Sequence, residues 1–466
     1  MTGNTFGKCL TPAPVAIFLV MLTALLLLAA PAWAVHGNAT IEGLTGTSFT
    51  LTAKDGYIRT GDGGSVYIWG YADGFNDVQY PGPTLIVNQG STIDITLTSR
   101  LPQATSIVIP GFEVTATGGV PGTLTREAPA DQVTSVTYSF TADRPGTFLY
   151  SSGTNPDLQV EMGLVGAIIV RPTDIGNPIV YDQLTPSTWS AYGDTSSQYD
   201  HEYLFLLTEM DPRIHELAES GRYAEITTHD YFPVYWFING RTGPDTMLPA
   251  HVPWLPTQPY NCFPLTSVRD RMLMRVIGAG REAHPFHTHA NNFDQIARDG
   301  WLMEGGAVTR TAEIGTIPDL ALSNFTLNTL PGATYDTIFT WTGRGLGWDM
   351  YGHPSGTTGI CEAGTIATDP TTGLDYDINT HEFCEDHMKP FPTVLPFQGD
   401  LAFGAFYSGS PYLGAAGSLP PGEGGNNPNA GFAFMWHSHN EKELTNNDIF
   451  PGGMMTMMIV ESPLSN

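Results

Sequence analysis

Apolar residues recur at every second position along much of this chain, in short runs closed by turn-forming residues. Leu85 and Val87, then Ile93, Ile95 and Leu97, then Val136, Tyr138 and Phe140 follow this rule. Pro81-Gly82-Pro83 and Asn88-Gln89-Gly90 punctuate them. Successive side chains of a strand point to opposite faces, so period two with frequent turns predicts half-buried strands and an all-β sandwich. The 52 glycines and 36 prolines fit that class better than a helical one. One helix is expected, with Asp211 as its cap, Pro212 in its first turn and Gly221 at its end.

The pattern divides the chain. Residues 35–172 read as one strand-rich domain, and 173–229 as a linker containing the helix. Residues 230–466 read as a second domain, with strands near Tyr231–Asn239, Met272–Val276 and Thr337–Trp341. From about 343 to 431 the alternation dissolves into Gly, Pro, Asn and Asp, a long insertion ending in the flexible Gly417–Gly431 stretch. Strands Phe432–His439 and Met454–Val460 then close the second sandwich.

Residues 1–34 carry Lys8, an apolar run from Val15 to Ala30 and Ala32-Trp33-Ala34, the small-x-small pattern of a cleaved secretory signal. A membrane anchor is the alternative for a run this long. Export places the protein in the periplasm or outside the cell, with no membrane association after cleavage. The net charge of −27, with four lysines, opposes binding to nucleic acid or anionic lipid. Beyond the signal three cysteines remain, Cys262, Cys361 and Cys384. Cys361 with Cys384 is the preferred disulfide, because both lie in one loop-like stretch.

Five of the thirteen histidines fall in two tight groups, His284-Pro285-Phe286-His287-Thr288-His289 and His437-Ser438-His439. In a strand, residues i and i+2 share a face, so each His-x-His aims two imidazoles into one space. If the two strands lie together, four imidazoles converge, a donor set suited to copper or zinc. Polar surface or core histidines are the alternative.

The first group resembles the His-Pro-x-His-x-His signature of multicopper oxidases, and the second, with Met454 downstream, resembles their closing His-Cys-His motif. Pro81-Gly82-Pro83-Thr84-Leu85, Asn88-Gln89-Gly90, Arg144-Pro145-Gly146-Thr147-Phe148-Leu149-Tyr150 and Gly163-Leu164-Val165-Gly166-Ala167 resemble that family's first domain. The resemblance implies two cupredoxin-like Greek-key β-sandwich domains. His287, His289, His437 and His439 match ligands of the family's copper cluster, and His284 and Met454 match ligands of its blue-copper site.

The departures are equally specific. Val108-Ile109-Pro110 and Ser151-Ser152-Gly153 stand where the family supplies four further histidines. Ser438 replaces the thiolate, and Glu443 stands at the spacing of a second blue-site histidine. A serine hydroxyl cannot act as the soft ligand of an electron-transfer copper, which argues against a four-copper laccase-type oxidase. The resulting expectation is one or two copper ions on His287, His289, His437 and His439, aided by His284, with no catalytic residue identified. Three functions follow: a copper oxidoreductase acting on a small molecule or metal ion, a non-catalytic copper handler, or an interaction module. A homotrimer would bring new ligands to the histidines.

Lesser signals are read structurally. His381-x-x-Cys384-x-x-His387 departs from standard zinc spacing, and Met454, Met455, Met457 and Met458 suit a core strand. The insertion is a candidate lid that would carry Glu385 or Asp386 toward the metal. His36, His201, His215, His229, His251 and His353 read as ordinary surface or core residues.

Overall fold

The computed structural model describes residues 40–173, 189–307, 309–312, 314–344, 361, 364–378, 381–385, 409–412 and 431–461. The expected signal at 1–34, His36, His353, Asp386, His387 and most of the 417–431 stretch lie outside them. Among the described residues, no helix is long and apolar enough to cross a membrane.

The fold is all-β and cupredoxin-like. In the N-terminal sandwich a five-stranded sheet runs in the order Ser65–Asp73, Ser48–Arg59, Thr92–Ser99, Ser135–Thr141, Thr115–Gly118. It faces a four-stranded sheet, Leu44–Thr45, Leu85–Asn88, Val165–Arg171, Gly146–Ser151. The period-two residues form the core between them: Ile93, Ile95, Leu97, Val136 and Tyr138 are fully buried. Chain order and sheet order differ in both sheets, as Greek-key crossovers require.

The second sandwich follows the same plan. Its larger sheet runs Tyr235–Ile238, His201–Met210, Arg271–Gly278, Thr334–Thr340, Phe293–Arg298, Trp301–Leu302. The opposing sheet runs Leu265–Ser267, Met455–Glu461, Gly431–Ser438, His284–Thr288, Thr326–Thr329. Phe205, Phe286, Phe339, Trp341, Phe432, Phe434, Trp436 and Met458 fill the space between.

The stretch expected to be a linker contains one of this sandwich's inner strands. His201–Met210 pairs in parallel with Arg271–Gly278, and all ten of its residues are buried. Tyr203, Phe205 and Leu207 enter the second core. Leu204, Leu206 and Met210 enter a shared core with Ile68, Tyr80, Leu149 and Val165 of the first sandwich. A strand buried on both faces shows no alternation, so its run reads as structureless to a period-two test. The expected helix is present at Pro212–Glu219. The Asp211 carboxylate accepts from the Arg213 N–H, Gly221 takes φ +69° beyond its end, and Ile214 and Ala218 pack into the N-terminal core.

Within the insertion, Cys361 and Cys384 form the expected disulfide around a hairpin of Ile366–Thr368 and Asp375–Asp377. Arg269 ties this hairpin to the sandwich through a 2.5 Å ion pair with Asp369.

Candidate metal centre

His284–Thr288 and Gly431–Ser438 are antiparallel neighbours, with His287 directly opposite His437. Alternation along each strand sends His287 to one face with His289 just beyond the strand's end, and His437 likewise with His439. The four rings meet. His287 lies 5.1 Å from His289, 5.5 Å from His437 and 4.9 Å from His439 between centroids, and His289 lies 5.0 Å from His437. Ligand nitrogens of His287, His289 and His437 all fall within 4.8 Å of one another. His439 stands against this trio from the exposed side.

The hydrogen bonds orient the trio. His437 Nδ1 sits 2.6 Å from the Ser438 carbonyl, so Nδ1 carries the proton and donates, leaving the Nε2 lone pair for the pocket. That Nε2 faces His289 Nε2 at 3.0 Å. His287 Nδ1 is held 2.9 Å from the Thr326 hydroxyl. Burial, reinforced by His289, His437 and His439, pushes the His287 pKa down to about 4. Burial also lowers His437. Neutral imidazoles with lone pairs turned inward are the form that binds a metal, and this donor set fits copper.

His284 does not join them. It lies on the opposite face of its strand, fully buried, with Nδ1 2.9 Å from Glu443 Oε2 and Nε2 2.9 Å from Glu209 Oε2. Its expected help to the cluster is therefore corrected: both nitrogens are engaged by carboxylates. Burial alone would lower its pKa, but the two carboxylates raise it to about 9. Ser438 is buried beside this group, its hydroxyl accepting from the Asn440 N–H at 3.1 Å. Met454 is buried in the core and donates its backbone N–H to the Glu443 carbonyl at 2.8 Å. Sequence reasoning missed Glu209 because its strand was read as linker.

In the N-terminal sandwich the two segments that lack the family's histidines do lie side by side, bridged at Val108 and Ser151. Hydroxyls and an amide fill the ground. Thr105 and Ser152 both donate to Gln159 Oε1, at 2.7 and 2.6 Å. Ser106 bonds Thr154 at 2.9 Å, and Thr154 donates to Glu127. With Cys384 in a disulfide, the His381 motif holds no zinc thiolate, and His381 lies 3.3 Å from the Val268 carbonyl. His201 pairs with Asp270 at 2.9 Å, and His251 with Glu42 at 2.7 Å.

Residues 62–174 match the multicopper oxidase family model. Laccase abr2 of Aspergillus fumigatus is 34% identical over 99 residues, covering 21% of this chain and 16% of the laccase's own length. Among solved structures, a blue copper oxidase from Nitrosomonas europaea is 17% identical with a TM-score of 0.48, over 89% of this chain and 86% of that one. A copper nitrite reductase from the same organism is 17% identical with a TM-score of 0.41, over 64% and 85%. These likenesses say nothing of activity.

Proposed function

Starting from a chain that carries a multicopper oxidase family domain over residues 62–174, we propose an exported, copper-binding protein whose metal is held by the second sandwich alone. The carrying observation is the convergence of the His287, His289 and His437 nitrogens within 4.8 Å, with His439 as a further donor at the open edge. These residues would hold one or two copper ions. Bound copper supplies one-electron redox chemistry through an imidazole shell. The chain's own contribution is to hold down the basicity of His287 and His437 by burial, fix the His437 tautomer through the Ser438 carbonyl and the His287 ring through the Thr326 hydroxyl, and leave one edge open to a small-molecule or metal-ion substrate.

Ser438 favours a second reading, copper handling without turnover, because a hydroxyl stands where a thiolate would make an electron-transfer centre. Oxygen uptake by copper-reconstituted protein with phenolic and metal-ion substrates separates the two. Uptake abolished in His437→Ala supports an oxidoreductase; no uptake from copper-loaded wild type supports handling. Wild type that takes up no copper defeats both.

A further inference from the structure

The pairing between the two histidine-bearing strands is short. Only Phe286, His287 and Thr288 face Ser438, His437 and Trp436, and a slip of one residue would turn one strand's imidazoles away from the other's. The group on the far side of the same strand is placed to prevent this. Glu209 is the penultimate residue of the His201–Met210 strand, His284 opens the strand bearing His287, and Glu443 lies in the turn Glu441–Leu444 that follows His439. All three are buried, at 2% exposed or less. The carboxylates sit at opposite edges of the ring, so no single ion can be shared among the three. The group is a bridge and not a second metal site.

Each end is anchored. Glu209 Oε1 accepts from the N–H groups of Arg281 and Glu282 at 2.6 and 2.9 Å. Glu443 Oε1 accepts from the Asn440 side chain at 2.9 Å. A Cβ on Gly280 would fall 1.9 Å from Glu209 Oε2, so glycine is what admits the carboxylate there. On the same junction the His439 N–H donates to the Pro285 carbonyl at 2.8 Å.

We propose that Glu209, His284 and Glu443 are positioning residues: their carboxylate–imidazole–carboxylate bridge fixes the offset between the two histidine strands and thereby the geometry of the copper ligands. The inference about copper rests on the function proposed above; the inference about strand offset does not.

The test uses the full exported chain with His284→Leu and Glu443→Ala, and Glu443→Gln as the conservative variant that keeps an acceptor. Two quantities are read: hydrogen exchange of the His439 amide without metal, and copper affinity with its electron paramagnetic resonance spectrum. In the first two variants, exchange should rise about tenfold or more, copper should bind about tenfold more weakly, and the copper spectrum should change shape. Glu443→Gln should restore most of each. Unchanged exchange, affinity and spectrum in folded variants would overturn the bridge while leaving copper binding intact. Should wild type bind no copper, the functional reading fails separately, and exchange alone then decides: faster supports the bridge, unchanged overturns it. If either variant fails to fold, Gly280→Ala, which displaces the Glu209 carboxylate without removing a charge, is read in the same way.

Discussion

The two sandwiches share an architecture and differ in what they keep at corresponding places. In the first, Val108 and Ser151 lie side by side, where the resemblance calls for metal ligands, and Thr105, Ser106, Ser152, Thr154 and Gln159 satisfy one another. In the second, His287, His289 and His437 bring their ligand nitrogens within 4.8 Å of one another. The hydroxyls of the first sandwich are engaged with one another, with Gln159 and with Glu127, whereas His287 and His437, with Nδ1 engaged from behind, keep Nε2 for an ion. Retaining a fold and retaining a metal site are separate matters.

The largest effect should come from breaking the second side of this comparison. His287→Ala or His437→Ala should weaken copper binding by more than about 100-fold, beyond the loss of an outer-shell partner, as read by competitive titration. Gln159→Ala in the first sandwich should leave copper affinity unchanged. A copper defect in Gln159→Ala would show that the hydroxyl network is part of the site.

Next in size is the buried bridge. Removing Glu209 by Glu209→Ala leaves a buried imidazolium with one carboxylate fewer, a change that costs roughly 3–5 kcal/mol when a buried pair is broken. Denaturant unfolding measures it. The same experiment on Gln159→Ala should lose only about 1–3 kcal/mol, the cost of hydroxyls left without an acceptor. Equal losses would erase the distinction between an ionic and a neutral network.

The pH dependence is smaller and has a definite sign. The folded pKa of His284 is raised to about 9 from 6.5. Its contribution is therefore fully present below pH 6.5 and lost as pH rises through about 9, at most roughly 3 kcal/mol. Unfolding followed between pH 6 and 10 should show this decline in wild type and not in His284→Leu. A flat profile for wild type would mean that the ring is neutral between its carboxylates.

Much of this was legible in the sequence, for identifiable reasons. Alternation at Ile93, Ile95 and Leu97 exposed half-buried strands, and Asp211, Pro212 and Gly221 marked a helix by its ends. The His-x-His spacing found the imidazoles that share a face. Two things escaped for the same reason. His201–Met210 is buried on both faces, so its apolar run carries no period, and with the strand went Glu209. His284 was grouped with the cluster because it is near in sequence; odd spacing from His287 puts it on the opposite face, and its partners lie 75 and 159 residues away.

The most direct test of the central claim is metal analysis with electron paramagnetic resonance on the purified protein after copper reconstitution and removal of excess metal. The account predicts one or two copper ions per chain, a nitrogen-coordinated spectrum of the kind given by copper without thiolate, and no intense blue absorption. Protein that retains no copper, or copper whose spectrum is unaltered when His287, His289 and His437 are replaced together, would contradict it.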